Sequence, residues 1–449
     1  MTAGEAGEAG DTGETGETGE ARAMRRVLLL ATTTGYQTRM FGEAATRLGV
    51  ELVYATDRCD KLDDPWFDQA IPVRFHEEWR SVDAILKAVD RGPLQAVLAV
   101  GDRPTVMAAY LARLLGLPGH TPEAAMTARD KRLSRDRLKA ASMLTPAYFT
   151  VPAGVEAVSL LRRLPFPVVV KPTILSGSRG VIRADDALSF ATAFDRVRRL
   201  LASNEVRELH DPEADVIQVE EYIPGAEYAV EAVMKDGDLR VLAIFDKPDP
   251  LEGPFFEETI YVTPSRASEA AQQQIAAVIA DAARAIGLHH GPIHAECRVN
   301  ARGVYVLEVA ARPIGGLCAK ALRFEDHSSG PRDLTAGPFE EFLLRHALGE
   351  DMTGWQREAQ ASAVMMIPIP KSGVYKGVDG VELASGVPGV DEVQITAKAD
   401  QQLLALPEGA SYLGFIFARA ATPADAERAV RDAHAQLRFR IDPLLPLVS

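Results

Sequence analysis

The stretch that decides the fold is GPIHAECRVNARGVYVLEVAARPIGG, residues 291–316. Apolar residues mark both halves as strands and residues 300–303 are typical of a turn, so the stretch predicts an antiparallel hairpin. Side chains alternate between the two faces of a strand. One face of the predicted hairpin therefore carries His294, Glu296, Glu308, Ala310 and Arg312.

Two carboxylates on this face indicate a cation site. Glu296 and Glu308 would be costly on a buried sheet surface unless a cation lay between them. Magnesium prefers oxygen ligands and is usually held by one or two carboxylates completed by phosphates and water, so the pattern favours a nucleotide-phosphate site. The alternative is an amphipathic hairpin whose two glutamates are solvated.

Two earlier segments offer groups for phosphate. Residues 121–131, TPEAAMTARDK, begin with a helix-start pattern and carry Lys131 inside the helical region. Residues 166–172, FPVVVKP, predict a short buried strand with Lys171 at its end, facing a cleft. The next loop contains Ser176, Gly177, Ser178 and Gly180. Its backbone amides could fold over phosphate oxygens, or it could be an ordinary hairpin turn, and it is not a Walker loop because no Gly-Lys-Ser/Thr follows.

A hinge for a nucleoside is predicted at residues 216–227, VIQVEEYIPGAE. An apolar strand runs into Glu220, Glu221, Tyr222 and Ile223, then turns at Pro-Gly before Glu227. An adenine ring needs an edge acceptor, backbone amides and apolar cover, and a ribose needs a carboxylate. The hinge supplies all of these groups.

The order of these motifs resembles that of the ATP-grasp superfamily. The motifs are, in sequence, the Asp-Lys lysine, the VVKP lysine, the glycine-rich loop, the EEYIPGAE hinge and the paired glutamates before Arg-Pro-Ile-Gly-Gly. Within it, the chain resembles the carboxylate-amine ligases of the L-amino-acid ligase group. The likeness spans residues 24–449 in architecture, and its specific motifs lie between residues 121 and 316. It implies ATP and Mg²⁺ as cofactors, and small carboxylate and amine substrates, namely amino acids, as partners.

The resemblance also implies a role for each motif residue. The implied nucleotide-binding residues are Lys131, Lys171, Ser176, Gly177, Ser178, Gly180, Glu220, Glu221, Tyr222, Ile223 and Glu227. The lysines would contact the phosphates under the loop, Glu220 and the backbone near Ile223 would meet the adenine, and Glu227 the ribose. Glu296 and Glu308 would bind magnesium, and Arg312 would meet the reacting carboxylate as a catalytic residue alongside Lys171. The superfamily usually places asparagine where this chain has Ala310, so one metal ligand is missing.

The function that follows is an ATP-dependent carboxylate-amine ligase, which forms an amide bond through an acyl phosphate and releases ADP and phosphate. One alternative is a biotin carboxylase-like or carbamoyl-phosphate-type enzyme that activates bicarbonate, although RPIGGLCAK replaces the tail expected of such carboxylases. A second alternative is a non-catalytic ATP-binding protein, which Ala310 alone favours.

Composition sets the class of protein. The 449 residues, 47% of them hydrophobic, can bury a substantial core in two or three domains. The net charge of −14 argues against nucleic acid as a partner. Neither a run of 18 apolar residues nor a signal-peptide pattern is found, so we expect no membrane partner and a cytoplasmic location, with a homodimer as one option. Cys59, Cys297 and Cys318 lack metal-type spacing and are expected to be reduced thiols, with Cys297 pointing away from the site.

The predicted fold class is α/β and α+β multidomain, in four segments. Residues 1–23 are a disordered acidic tail, because their Gly-Glu-Thr repeat cannot bury apolar surface. Residues 24–118 form an open α/β domain with parallel strands, residues 119–350 the ATP-grasp domain, and residues 351–449 a small α+β closing domain. Ligands in open sheets bind beyond the carboxyl ends of strands, which indicates residues 33–36 and 101–103, unless these are ordinary turns.

A few further residues have two readings. Lys247, Glu257 and Glu258 are expected to face substrate or to be surface charges. Phe255 and Phe256 could line a substrate pocket, or be divided between the core and the surface, as adjacent aromatic residues usually are. Zinc at His289, His290 and His294 is disfavoured, because the adjacent histidines would point to opposite faces of an extended segment.

Overall fold

The structure is a computed structural model that describes residues 24–32, 38–57, 70–89, 92–328, 336–409 and 411–444. Three sequence-based predictions lie outside these residues, namely the disordered tail at 1–23, the strand-end loop at 33–36 and the free thiol of Cys59. No helix in the described part of the chain is both long enough and apolar enough to cross a membrane.

The first described region is a parallel sheet with helices. Its elements are β1 (Arg25–Ala31), α1 (Thr38–Leu48), β2 (Val50–Thr56), β3 (Ile71–Pro72), α2 (Glu78–Ala88), β4 (Ala96–Val100) and α3 (Thr105–Leu115). The strand order is β3-β2-β1-β4 and every pairing is parallel. The central strand β1 is a continuous apolar run, and its residues 27–30 are fully buried. This is expected of a strand in a parallel sheet that is covered on both faces.

The second region contains a small antiparallel sheet, called here the small sheet. Its elements are α4 (Pro122–Arg129), α5 (Lys131–Ala140), β5 (Tyr148–Pro152), β6 (Val168–Pro172), β7 (Ile182–Ala184), α6 (Ala187–Leu201), α7 (Asn204–Arg207) and β8 (Val216–Glu221). The strand order is β5-β8-β6-β7. Thr121 caps α4, and Asp130 caps α5 by accepting from two backbone amides, which places Lys131 in the first turn of α5.

The next region supplies most of the large sheet. Its elements are β9 (Ala226–Lys235), β10 (Asp238–Asp246), β11 (Ile260–Thr263), α8 (Glu269–Ile286), β12 (Gly291–Asn300) and β13 (Gly303–Ala310). Helix α8 buries Ile275 and Ile279 against the apolar face of these strands, and Cys297 lies in the same core. This packing leaves the opposite face of β12 and β13 for polar side chains.

The last region completes that sheet. Its elements are β14 (Arg323–Asp326), β15 (Gly337–Pro338), α9 (Phe339–Ala347), β16 (Trp355–Arg357), β17 (Ala361–Ile367), β18 (Gly373–Asp379), α10 (Val381–Ser385), β19 (Val390–Ile395), β20 (Gln402–Leu403), β21 (Gly414–Ala420), α11 (Pro423–Gln436) and β22 (Arg438–Asp442). The large sheet has eight strands in the order β13-β12-β9-β10-β11-β17-β21-β19. The predicted α/β and α+β class is confirmed, while the boundaries at residues 118 and 350 stay predictions, and the large sheet takes strands from both sides of residue 350.

The hairpin predicted from residues 291–316 is present as β12 and β13. His294 pairs with Ala310 and Glu296 pairs with Glu308, so these side chains share one face as expected. The register shifts immediately after Glu296, which leaves Leu307 as the extra residue of a bulge. The sequence pattern did not indicate this bulge.

Candidate active site

A cleft of about 730 Å³ lies where the parallel sheet, the small sheet and the large sheet meet. The predicted site residues that line it are Lys131, Lys171, Ser176, Gly177, Ser178, Glu220, Glu221, Tyr222, Ile223, Glu227, Glu296, Glu308 and Arg312. Gly180 lies between the cleft-lining residues Arg179 and Val181. The structure therefore brings residues from five separate motifs to one cavity, while the role of each stays a prediction.

One wall of the cleft belongs to the small sheet, and we call it the Lys171 wall. It consists of Lys131, Arg135, Lys171, Gln218 and Glu220. Strand β6 ends with Lys171, whose Nζ lies 2.6 Å from Glu220 Oε2 on the neighbouring β8. The other carboxylate oxygen accepts from Arg135 Nε at 2.8 Å and from Gln218 Nε2 at 2.6 Å. One carboxylate thus faces two cations, which leaves this wall with an excess of positive charge.

The pKa values of Lys171 and Glu220 on this wall are both below their ordinary values, for different physical reasons. Burial lowers the pKa of Lys171 to about 8, and the Glu220 carboxylate offsets only part of that effect. Burial alone would raise the pKa of Glu220, but Arg135 and Lys171 bring it down to about 2. Lys131 Nζ donates to the Leu175 carbonyl at 2.7 Å, just before the glycine-rich loop. The wall therefore presents cations directly beside the loop predicted to cover phosphates.

The glycine-rich loop contacts the C-terminal region. Gly180 has a φ of 74°, and a Cβ there would lie 2.9 Å from Leu200, so this position requires glycine. Its backbone amide donates to the Pro407 carbonyl at 2.8 Å, and Arg179 Nε donates to the Glu408 carbonyl at 2.8 Å. The C-terminal region is therefore positioned to hold the loop over the cleft.

In the predicted nucleoside hinge, two arginines contact the ring of Tyr222. The guanidinium of Arg183 lies 4.2 Å from the centroid of the Tyr222 ring, and that of Arg298 lies 5.2 Å from it. Arg298 also donates to the Ile223 carbonyl and to Glu227 Oε2, both at 2.7 Å. Residues 222–227 are thereby fixed at the mouth of the cleft.

A second wall belongs to the large sheet, and we call it the Lys247 wall. It consists of Glu227, Lys247, Glu258 and Glu296. Lys247 Nζ is 2.8 Å from Glu227, 2.8 Å from Glu258 and 2.7 Å from Glu296, and its side chain is 2% exposed. Glu308 pairs opposite Glu296 at the edge of this group. Three carboxylates therefore surround the Lys247 ammonium, while Arg298 also pairs with Glu227 and His294 Nε2 lies 3.7 Å from Glu296.

The donor atoms of the Lys247 wall fit a magnesium ion. Among the described residues, oxygen atoms of Glu227, Glu258 and Glu296 form the group within 4.8 Å of one another that could hold a metal. Mg²⁺ prefers oxygen ligands and is usually held by one or two carboxylates completed by phosphates and water, which a group of carboxylates at the cleft can supply. The three carboxylates raise the pKa of Lys247 well above its ordinary value against the effect of burial, so this lysine stays charged. Burial, together with the charge of Glu296, raises the pKa of Glu258 to about 7, although Lys247 opposes the shift.

Two charged pairs lie between the walls. His294 Nδ1 is 2.5 Å from Glu231 Oε1, and the other oxygen of Glu231 accepts from the Ile314 amide at 3.0 Å. Burial alone would lower the pKa of His294, but Glu231 raises it to about 9, so the imidazole is cationic at neutral pH. Arg312 Nε donates to Asp102 Oδ1 at 2.6 Å, which ties the large sheet to the loop after β4.

Sequence reasoning did not assign roles to four residues of this arrangement, namely Asp102, Arg135, Glu231 and Lys247. Lys247 was noted as a residue facing substrate, and residues 101–103 were noted as a strand end. Arg135 follows Lys131 by four residues and so shares its helix face, a signal that could have identified it. Glu231 has no comparable signal, because its partner His294 is 63 residues away in the chain.

Comparison with protein families agrees with this geometry. A model described as ATP-grasp domain matches residues 164–321, and a model described as L-amino acid ligase C-terminal domain 2 matches residues 365–442. The resemblance drawn from the motifs is therefore confirmed.

Individual relatives resemble the chain over different shares of its length. The uncharacterized protein y4rH of Sinorhizobium fredii is 24% identical over 436 residues, covering 95% of this chain and 85% of that protein. Alanine–anticapsin ligase of Bacillus subtilis strain 168 is 28% identical over 247 residues, 52% of each chain, so the match spans about half of that ligase. The crystal structure of an L-amino acid ligase from Bacillus licheniformis superposes with a TM-score of 0.77 at 25% identity, covering 93% of this chain and 99% of the other.

Proposed function

We propose that this chain is an ATP-grasp ligase that joins the carboxylate of one amino acid to the amine of another at the expense of ATP. The reaction proceeds through an acyl phosphate and releases ADP and phosphate. One observation carries the proposal, namely that the two lysines of the Lys171 wall and the three carboxylates of the Lys247 wall line the same cleft as Arg312. A triphosphate needs the first wall, its metal ions need the second, and a substrate carboxylate needs the arginine.

The Lys171 wall and the hinge bind the nucleotide in this proposal. Lys171 and Lys131 offer compact ammonium groups to the phosphates, and Glu220 holds Lys171 in place. The loop at residues 176–180 covers the phosphates with its backbone amides. Glu221, Tyr222 and Ile223 surround the adenine beside the backbone of Glu220, and Glu227 reaches the ribose.

Glu296 and Glu308 are the proposed magnesium ligands, with Glu258 available to replace the missing ligand at Ala310. When bound, magnesium supplies charge neutralisation on the phosphates and orients the γ-phosphate for in-line attack. Lys247 keeps the carboxylates of this wall together and balances their charge.

The chain's own cations dispose of the charge that the reaction generates. The substrate carboxylate attacks the γ-phosphate next to Lys171 and Lys131, which share the negative charge of the transferring group. The amine of the second amino acid then attacks the acyl phosphate, and phosphate leaves. Arg312 and the cationic His294 both line the cleft. Fixed positive groups in a dry site stabilise a developing oxyanion strongly, so in this proposal they stabilise the tetrahedral intermediate. The loop at residues 176–180, held by the C-terminal region, excludes water from the acyl phosphate.

A matrix of amino acids and other carboxylates, assayed in pairs for ADP and phosphate in the presence of magnesium, tests the proposal. We expect ADP release to rise only when a carboxylate and an amine are supplied together, with a stoichiometric amide product. Phosphate release that responds to bicarbonate alone would instead support a carboxylase. ATP binding by calorimetry, with no pair that stimulates turnover, would support a nucleotide-binding protein without catalysis.

A further inference from the structure

The guanidinium of Arg312 makes an uneven set of contacts. Arg312 is 7% exposed, and a guanidinium has five N–H donors. Its Nε donates to Asp102 Oδ1 at 2.6 Å and its Nη2 to Asp102 Oδ2 at 3.3 Å, so a single carboxylate takes the side edge of the fork. Its Nη1 donates to the Pro313 carbonyl at 3.0 Å.

These contacts leave one edge of Arg312 for another partner. Three of the five N–H groups are engaged by Asp102 and Pro313, and one proton remains on each of Nη1 and Nη2. Asp102 takes the side edge, so the end edge between Nη1 and Nη2 is the edge that it leaves, and Glu308 Oε1 is 3.8 Å from Nη2. The end edge of a guanidinium matches the two oxygens of a carboxylate or an oxyanion.

Asp102 is itself fixed in position. It follows β4 at the carboxyl edge of the parallel sheet, and its carbonyl accepts from the buried Thr105 hydroxyl at 2.7 Å, at the start of α3. Burial would raise the pKa of Asp102, but the Arg312 guanidinium keeps it below the ordinary value, so Asp102 stays ionised. The loop after β4 therefore holds a permanent charge against the side edge of Arg312.

We infer that Asp102 is a positioning residue for the ligation reaction: it holds the side edge of Arg312 so that the end edge faces the reacting carboxylate. The inference rests on the proposed function and adds to it a residue from the parallel-sheet region, more than 200 positions before Arg312 in the chain. Asp102 acts through Arg312 and does not touch the substrate. Loss of the Asp102 carboxylate therefore changes the orientation of the Arg312 guanidinium, while Arg312 keeps its positive charge.

Asp102→Asn tests this role, because the amide has nearly the same shape but presents an N–H group to the fork. With the most active substrate pair, we expect kcat for ligation to fall by about 10²-fold, the size of effect that follows a misplaced catalytic group. The KM and calorimetric Kd for ATP stay near wild type, since no nucleotide-binding group changes. Asp102→Glu keeps the carboxylate and is expected to recover part of kcat. Asp83→Asn, which removes an exposed partner of Lys87 in the same region, is the matched control and leaves kcat unchanged.

A double-mutant cycle with Arg312→Lys separates positioning from a structural role. If Asp102 acts through Arg312, Asp102→Asn costs little further kcat once Arg312 is lysine. Independent, multiplicative losses would overturn the inference, as would an Asp102→Asn variant with wild-type kcat or with an equal loss of ATP affinity. The inference would also fail if Asp102→Asn were misfolded, as judged by its Tm, while Asp102→Glu kept full activity. That result would give Asp102 a structural role only. The proposed function fails separately, and takes the inference with it, if the wild-type protein ligates no pair at all.

Discussion

Two buried lysines, Lys171 and Lys247, lie on different walls of the same cleft and have opposite electrostatic environments. Lys171 shares the carboxylate of Glu220 with Arg135, and burial lowers its pKa to about 8. Lys247 has three carboxylates within 2.8 Å, and they raise its pKa well above the ordinary value. Burial is similar at both sites, so the number of neighbouring charges decides the difference.

The difference shows what each wall can bind. The Lys171 wall has more cations than carboxylates and stands ready for an anion, which a nucleotide phosphate supplies. The Lys247 wall groups three carboxylates, the ligand type that magnesium prefers, around one ammonium. In the proposed function, an ATP–magnesium complex contacts both walls at once.

Removing Lys247 is expected to have the largest effect on stability. Lys247→Ala leaves three partly buried carboxylates without their shared buried ammonium, and breaking a buried ion pair typically costs about 3–5 kcal/mol. We expect the unfolding free energy from urea titration to fall by about this amount, with partial recovery in millimolar magnesium because a divalent cation replaces the ammonium. Lys376→Ala, which removes an exposed partner of Asp400, is the control. Equal losses of stability with and without magnesium would contradict the cation-binding character of the Lys247 wall.

Lys171→Ala is expected to affect catalysis more than stability. Glu220 keeps Arg135 as a partner, so the unfolding free energy falls by less than in Lys247→Ala. The KM for ATP rises and kcat drops by about 10²-fold, because a charge that stabilises the transferring phosphate is lost. Steady-state kinetics over ATP concentration check this prediction. Unchanged ATP kinetics would remove Lys171 from the nucleotide site.

The sequence could predict the hairpin and the Lys171 strand because short-range patterns determine both. Alternation along residues 291–316 placed Glu296 and Glu308 on one face, and the run at residues 166–172 placed Lys171 at a strand end. The structure contains both features. Local periodicity is enough when the residues of a site share one hairpin or one strand.

The ion pairs across the cleft could not be predicted in the same way. Arg312 meets Asp102 from 210 positions away, and Lys247, which follows β10, meets Glu296 of β12 because both strands flank β9. Such pairs depend on sheet order, which a single sequence does not specify. The ion pair between Glu220 and Lys171 was not predicted for the same reason, because it depends on the pairing of two strands. The contact of Glu220 with adenine stays a prediction.

Glu308→Gln separates metal binding from folding. The change removes one charge and little volume from a partly exposed side chain, so Tm stays close to wild type. We expect the magnesium concentration for half-maximal activity to rise by about 10-fold, the lower end of the losses seen when a metal site is perturbed. A magnesium titration of ADP release measures this shift. Wild-type activity at low magnesium would show that Glu308 is not a ligand.

The lowered pKa of Lys171 predicts a pH dependence that Lys247 does not share. As pH rises through about 8, the Lys171 ammonium loses its proton and its attraction for phosphate, so kcat/KM for ATP falls by up to tenfold per pH unit. Lys247 keeps its proton over this range because its pKa is raised. Profiles of kcat/KM between pH 6.5 and 9.5 for wild type and Lys171→Arg test the assignment. An alkaline limb that persists in Lys171→Arg would belong to another group.

The acyl phosphate is the central claim, and transfer of an oxygen isotope tests it most directly. The most active pair from the substrate matrix is supplied with ¹⁸O in the carboxylate of the acyl donor, and the released phosphate is examined by ³¹P NMR. That carboxylate attacks the γ-phosphate, and one of its oxygens leaves with the phosphate. We therefore predict one ¹⁸O atom in each released phosphate, and ADP as the nucleotide product. Amide formation with unlabelled phosphate, or with AMP and pyrophosphate as products, would contradict the mechanism.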